Sequence, residues 1–107
     1  MQIHKLSNFT KGWFIGDFEP SLLPTKDFEV AIKYYKKGDT ELAHHHKLAV
    51  EYTVIAKGKV TMNGMEIEEG DIVTIAPHEI TDFKVLEDTI TMVVKLPSLK
   101  DDKYFNG

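Results

Sequence analysis

The chain has 107 residues, a net charge of −4 from 17 acidic and 13 basic side chains, and a composition that is 42% hydrophobic and 28% charged. These values describe one ordinary globular domain with a single modest core. The acidic balance argues against a nucleic-acid partner, and the absence of cysteine excludes disulfides, thiolate ligands and cysteine nucleophiles.

From the N-terminus, MQIHKLSNFTKG lacks the apolar core and cleavage site of a secretory signal. No later run approaches the roughly 20 apolar residues of a membrane-spanning helix. A cytoplasmic protein with no membrane partner is the expectation. GWFIGDF carries Trp13, Phe14, Ile15 and Phe18, which read as core or dimer contacts, and EPSLLPT with its two prolines reads as a loop. Phe28 to Tyr35 is rich in β-branched and aromatic residues and reads as a strand, with either Val30, Ile32 and Tyr34 or Ala31, Lys33 and Tyr35 facing inward. KKGD turns the chain. Glu51 to Met62 reads as the first arm of a strand pair with a kink or turn near Gly58, and Asn63-Gly64 is a strong two-residue hairpin signal because a type I′ turn needs positive φ at both positions. DIVTIAP is a short strand closed by Pro77. DFKVLEDTITMVVKLP reads as two strands about a turn at Glu87-Asp88, and the polar tail SLKDDKYFNG reads as loose. Many short strands with regular turns and no sustained helical period predict an all-β barrel or sandwich.

The triplet His44-His45-His46 is the chemical signal. On a helix each residue turns ~100°, so His44 and His46 would diverge by about 200°. On a strand they share a face, and His45 projects away into solvent. Glu51 follows His46 at an odd separation, so it joins the two histidines only if the chain turns within KLAV and a new strand begins. Glu51, Thr53 and Ile55 then share the inward face. A purification tag is excluded by the internal position.

Gly38, five residues, His44-x-His46, four residues, Glu51, six residues and Gly58 resemble the first motif of the cupins at every position. GDIVTIAPHEITDF resembles the second motif without gaps: Gly70, Asp71, Ile75, Pro77 and Phe83 match, Ala76 replaces a proline, His78 replaces a glycine, and Thr81 stands where a metal-binding histidine is expected. The resemblance implies a small double-stranded β-helix, a jelly-roll barrel over about 28–96 within a single domain 1–107. An N-terminal arm 1–27 and a tail 97–107 flank it, and a homodimer is expected. It also implies one divalent transition metal (Fe, Zn, Mn or Ni) on His44, His46 and Glu51. Two histidines and a carboxylate are a competent set for iron or zinc with positions left open. Thr81 is a poor ligand by itself. Asp82 is a ligand by chemistry but has the parity of an outward residue, and His78 is read as a turn residue at positive φ. These three are the additional site candidates. Thr53, Ile55, Val73, Ile75 and Phe83 are the candidate pocket lining. No phosphate loop and no arginine are present, so no nucleotide cofactor is indicated, and the ligand is expected to be a small polar molecule. The function implied is that of a small metal-binding cupin that acts on or binds a small polar molecule, with a mononuclear metal-dependent enzyme of undetermined reaction as one form of it. The alternative is a non-catalytic binding or sensory cupin whose metal site is degenerate, its inherited residues hydrogen-bonding to one another.

Overall fold

Two long strands organise the molecule. In the computed structural model, which describes residues 1–106, β4 (Val50–Met62) and β7 (Thr81–Leu96) pair antiparallel along most of their length. The other strands are β1 (Trp13–Ile15), β2 (Glu29–Tyr35), β3 (Thr40–His45), β5 (Met65–Glu68), β6 (Ile72–Ile75) and β8 (Tyr104–Phe105). One edge of the sheet runs β1-β2-β7-β3-β8, while β4 also pairs with β5 and β6. Helix is confined to two single 3-10 turns, Leu6–Asn8 and Thr10–Gly12. The all-β expectation holds, and no helix among the described residues is long and apolar enough to cross a membrane.

The strands form where the inward face can be buried. In β4 the buried positions are Thr53 and Ile55, then Val60 and Met62. The alternation changes phase once, at an irregularity in the pairing between Lys57 and Val60. Gly58 sits there at φ +99°, and a Cβ at that position would collide with the Thr89 hydroxyl and the Asp88 carbonyl. Asn63 and Gly64 have φ of +51° and +80°, as the hairpin signal requires. Ile55, Val60, Met62, Ile67, Ile75, Phe83 and Val85 form the buried apolar cluster, with Tyr35 and Val73 packed against it.

Two expectations are corrected. Glu87-Asp88 is no turn: β7 runs through it, with inward positions continuing from Thr81, Phe83 and Val85 to Thr89, Thr91 and Val93. Pairing with β4, and with β2 from Thr89 onward, overrides the local turn preference, and Asp88 instead accepts a hydrogen bond from the Lys37 amide at 2.9 Å. The tail is not loose. Ser98 and Asp102 are buried, β8 pairs with β3, and the Asn106 amide donates to the Ala43 carbonyl at 2.8 Å. A polar tail docks here because its polar groups find partners. The Asp102 carboxylate accepts the amides of Lys47, Leu48 and Ala49 at 3.1, 3.2 and 3.0 Å, filling the turn between β3 and β4. The arm is also tied down, since β1 adds an edge strand to β2.

Candidate metal and ligand site

The turn at Lys47 and Leu48 reverses the chain between His46 and Glu51, and this brings the three predicted ligands together. His44, His46 and Glu51 all line one cavity of about 70 Å³. Thr53, Thr81 and Phe83 line it too. His46 is 5% exposed and Glu51 16% exposed, with His46 Nε2 at 3.6 Å from Glu51 Oε1. The imidazoles of His44 and His46 stand edge to face with centroids 5.4 Å apart.

Hydrogen bonds select the tautomers. His46 Nδ1 lies 2.8 Å from the Asp102 carbonyl, and His44 Nδ1 lies 3.1 Å from the Leu42 carbonyl. A carbonyl only accepts, so each Nδ1 carries a proton, and whenever a ring is neutral its lone pair is on Nε2. Burial lowers the His44 pKa; the Leu42 carbonyl opposes that, while Lys103 and His46 reinforce it, and the neutral form is favoured. For Glu51, burial raises the pKa. The contact with His46, the 2.7 Å hydrogen bond from Thr53 Oγ1 and the charge of Lys95 outweigh burial and hold the carboxyl below its ordinary value. Donor types and tautomers therefore fit a divalent transition metal. Among the described residues, however, no three His, Cys, Asp or Glu side chains stand close enough to form a metal-holding group as placed.

The other candidates separate. His78 is exposed at φ +72°, a turn residue whose amide donates to the His46 carbonyl at 2.6 Å. Asp82 accepts the Asn63 amide at 2.7 Å, and Asn63 Oδ1 accepts the Asp82 amide at 3.1 Å, so Asp82 braces the hairpin outside the cavity. Ile55 and Ile75 belong to the apolar cluster, and Val73 packs against it; none of the three lines this cavity. His45 projects away as expected but is not simply solvated: it stacks on Tyr104 and contacts Asn106 Oδ1 at 2.6 Å.

The cavity also holds groups that sequence reasoning left open or missed. On β2 the face of Ala31, Lys33 and Tyr35 is the inward one, with Lys33 and Tyr35 at the cavity. Glu41 lies three residues before His44, the wrong parity for a regular strand, and an irregularity in β3 between them turns both inward. Tyr35 Oη donates to Glu41 Oε1 at 2.8 Å, and burial followed by that carboxylate pushes the phenol pKa far up, so Tyr35 stays a donor. Thr91, Val93 and Lys95 continue the inward face of β7, a signal available had one strand been read through Glu87. Lys103 arrives with the docked tail. Trp13 from the arm has Lys33 Nζ at 5.2 Å and Lys95 Nζ at 5.1 Å from its ring centroid.

No family model matches the sequence, and no curated protein matches it. Solved structures do match by shape. A Klebsiella pneumoniae protein with a double-stranded β-helix domain superposes with a TM-score of 0.71 at 18% identity, covering 97% of this chain and 90% of that one. KdgF from Halomonas sp. gives 0.64 at 20% identity, covering 73% and 74%. Oxalate decarboxylase from Bacillus subtilis gives 0.67 at 15% identity, covering 76% of this chain and 24% of that one, and that enzyme has Mn(II) centres. The fold is therefore the double-stranded β-helix. Identities this low establish the fold and leave the reaction to the site itself.

Proposed function

We propose that this chain is a metal-binding cupin that takes a small polar molecule, with His44, His46 and Glu51 as the residues that would hold one divalent transition metal. One observation carries the reading. With its Nδ1 proton on the Asp102 carbonyl, His46 points Nε2 at Glu51 Oε1 3.6 Å away, where a neutral ring would offer only a lone pair. Two lone-pair groups facing each other call for a cation between them. When bound, such a metal supplies Lewis acidity toward an oxygen-bearing ligand. The chain's own groups do the rest: the Asp102 carbonyl orients His46, Thr53 fixes one Glu51 oxygen, and Tyr35 and Glu41 form a donor-acceptor pair on the cavity wall. The Mn(II) centres of a structural neighbour of the same fold are consistent with this reading.

The second reading, a metal-free binding cupin, is favoured by the absence of a preformed three-ligand group among the described residues. There a proton on His46 replaces the metal and makes an ion pair with Glu51. Calorimetric titration of EDTA-treated protein with zinc, manganese and iron(II) separates the two. The first reading requires one site per chain, lost in His46→Ala, retained in Asp82→Ala and tightened in Thr81→His, which adds an imidazole on the cavity face. A parent protein that binds none of the three metals, or a His46→Ala variant that binds as tightly as the parent, leaves the metal-free reading. A homodimer belongs to the same proposal, and sedimentation velocity at high micromolar concentration tests it.

A further inference from the structure

We propose that Lys33 and Thr91 form a carboxylate subsite on the wall of the cavity, so that the molecule it takes is a small organic acid held in front of His44, His46 and Glu51. The inference rests on the cavity being a ligand site and is independent of the metal.

Thr91 supplies the first observation. It is 1% exposed, lines the cavity, and its Oγ1 is the buried side-chain polar atom that finds no hydrogen-bond partner among the described residues. Its buried neighbours Thr53 and Thr89 are both satisfied, by Glu51 and by the Glu87 carbonyl. Nothing in packing demands a hydroxyl rather than a methyl at such a position, and an orphaned buried hydroxyl is costly.

The second observation stands directly across the strand pair. Lys33 is the register partner of Thr91 on β2. Lys95 has Glu29 at 3.9 Å, whereas Lys33 makes no ion pair among the described residues. Glu41, whose charge favours the Lys33 ammonium most, accepts the Tyr35 hydroxyl on Oε1. An ammonium and a hydroxyl, neighbours across two strands and both short of an acceptor, are satisfied together by an anion with two oxygens. A neutral ligand leaves the ammonium uncompensated, and a cation is repelled by it.

Size and chemistry narrow the class. A cavity of about 70 Å³ holds roughly five to seven water-sized groups at ~10–15 Å³ each, the size of glycolate or lactate. With no arginine in the chain, the site has no bidentate fork for a phosphate; of its three lysines, Lys95 is drawn to Glu29 and Lys103 lies over Phe105, and the Lys33 ammonium with the Thr91 hydroxyl matches the lower charge of a carboxylate.

The test uses full-length protein freed of metal with EDTA and followed by two-dimensional amide NMR, with glycolate, its neutral analogue ethylene glycol, and inorganic phosphate as probes. Glycolate is expected to bind at one saturable site, about tenfold or more tighter than ethylene glycol and tighter than phosphate. Lys33→Met should weaken glycolate by at least about tenfold and Thr91→Val by roughly three- to tenfold, while Thr91→Ser, which restores the hydroxyl, keeps parental affinity. Thr91→Val and Thr91→Ser are close in shape to threonine and keep the comparison valid if Lys33→Met folds poorly. Equal binding of ethylene glycol, tighter binding of phosphate, no glycolate binding at all, or indifference to both Thr91→Val and Lys33→Met overturns the proposal. Glycolate binding in protein that binds no metal breaks the metal reading alone; metal binding without glycolate binding breaks this proposal alone.

Discussion

The two ends of the barrel interior are built on the same long strands and filled with opposite chemistry. On β4, Ile55 and Val60 face the apolar cluster, while Glu51 and Thr53 face the cavity; on β7, Val85 belongs to the cluster and Thr91 and Lys95 to the cavity, and Met62 and Phe83 border both. Backbone pairing does not distinguish them, because both ends are laddered by the β4–β7 contact. The side chains do. At the apolar end each group is satisfied by contact and its burial stabilises the fold. At the polar end each buried group needs a specific partner, supplied from another strand or from the tail: Asp102 for His46, Glu29 for Lys95, Tyr35 for Glu41. Where, among the described residues, no anion faces the Lys33 ammonium and nothing bonds the Thr91 hydroxyl, stability is given up and a place for a ligand remains.

Substitutions of satisfied groups, at either end, should therefore cost stability, and substitutions of the unsatisfied Lys33 and Thr91 should not. The largest effect is expected at Ile55, which is fully buried in the apolar cluster. Ile55→Ala should lose roughly 3–4 kcal/mol in urea unfolding through lost burial and the cavity left behind. A loss below about 1 kcal/mol would mean that this end is not the main source of stability.

Asp102→Ala comes next, at roughly 2–3 kcal/mol, because three amides of the β3–β4 turn lose a charged acceptor at once. The variant should also free Tyr104 and Phe105, which faster amide exchange across β8 would reveal. Burial raises the Asp102 pKa, but the amides of Ala49, Leu48 and Lys47 outweigh it and hold the carboxyl below its ordinary value of 3.8. The stabilisation is thus fully present above that value and is lost as pH falls through the lower folded value. Stability curves of parent and variant should converge in acid; parallel curves would show that the carboxylate charge is not what holds the turn.

At Lys33 and Thr91 the sign reverses. Burial lowers the Lys33 pKa from 10.5; Glu41 opposes this and Lys103 and Lys95 reinforce it, so the unfolded chain holds that proton more tightly than the folded one. The ammonium then costs stability at every pH below its folded pKa. Lys33→Met should gain on the order of 1 kcal/mol at neutral pH, with the gain shrinking as pH approaches 10.5. Thr91→Val should be the smallest change, neutral to about 1 kcal/mol more stable, since it replaces an unpartnered hydroxyl with a methyl of similar shape. A clear loss of stability in Thr91→Val would show that the hydroxyl is satisfied within the protein and would erase the contrast between the ends.

The sequence alone carried the all-β class, the Asn63-Gly64 hairpin, the kink at Gly58, and the meeting of His44 and His46 with Glu51 across a turn. Each depends on local rules: period-two alternation, positive φ at specific residues, and a parity that only a turn in KLAV can reconcile. The resemblance of the two motifs to the cupins supplied the strand topology. Tertiary structure decided the rest. Glu41 enters the cavity only because a strand irregularity breaks the parity between it and His44. Lys95 and Thr91 were hidden by a turn read at Glu87-Asp88, which pairing with β4 and β2 abolishes. Lys103 and the orienting carbonyl of Asp102 belong to a tail whose composition reads as loose and whose order comes from amides more than fifty positions away in sequence. Alternation and turn chemistry are properties of neighbours along the chain; the charged half of this cavity is made of contacts between residues that only the folded barrel brings together.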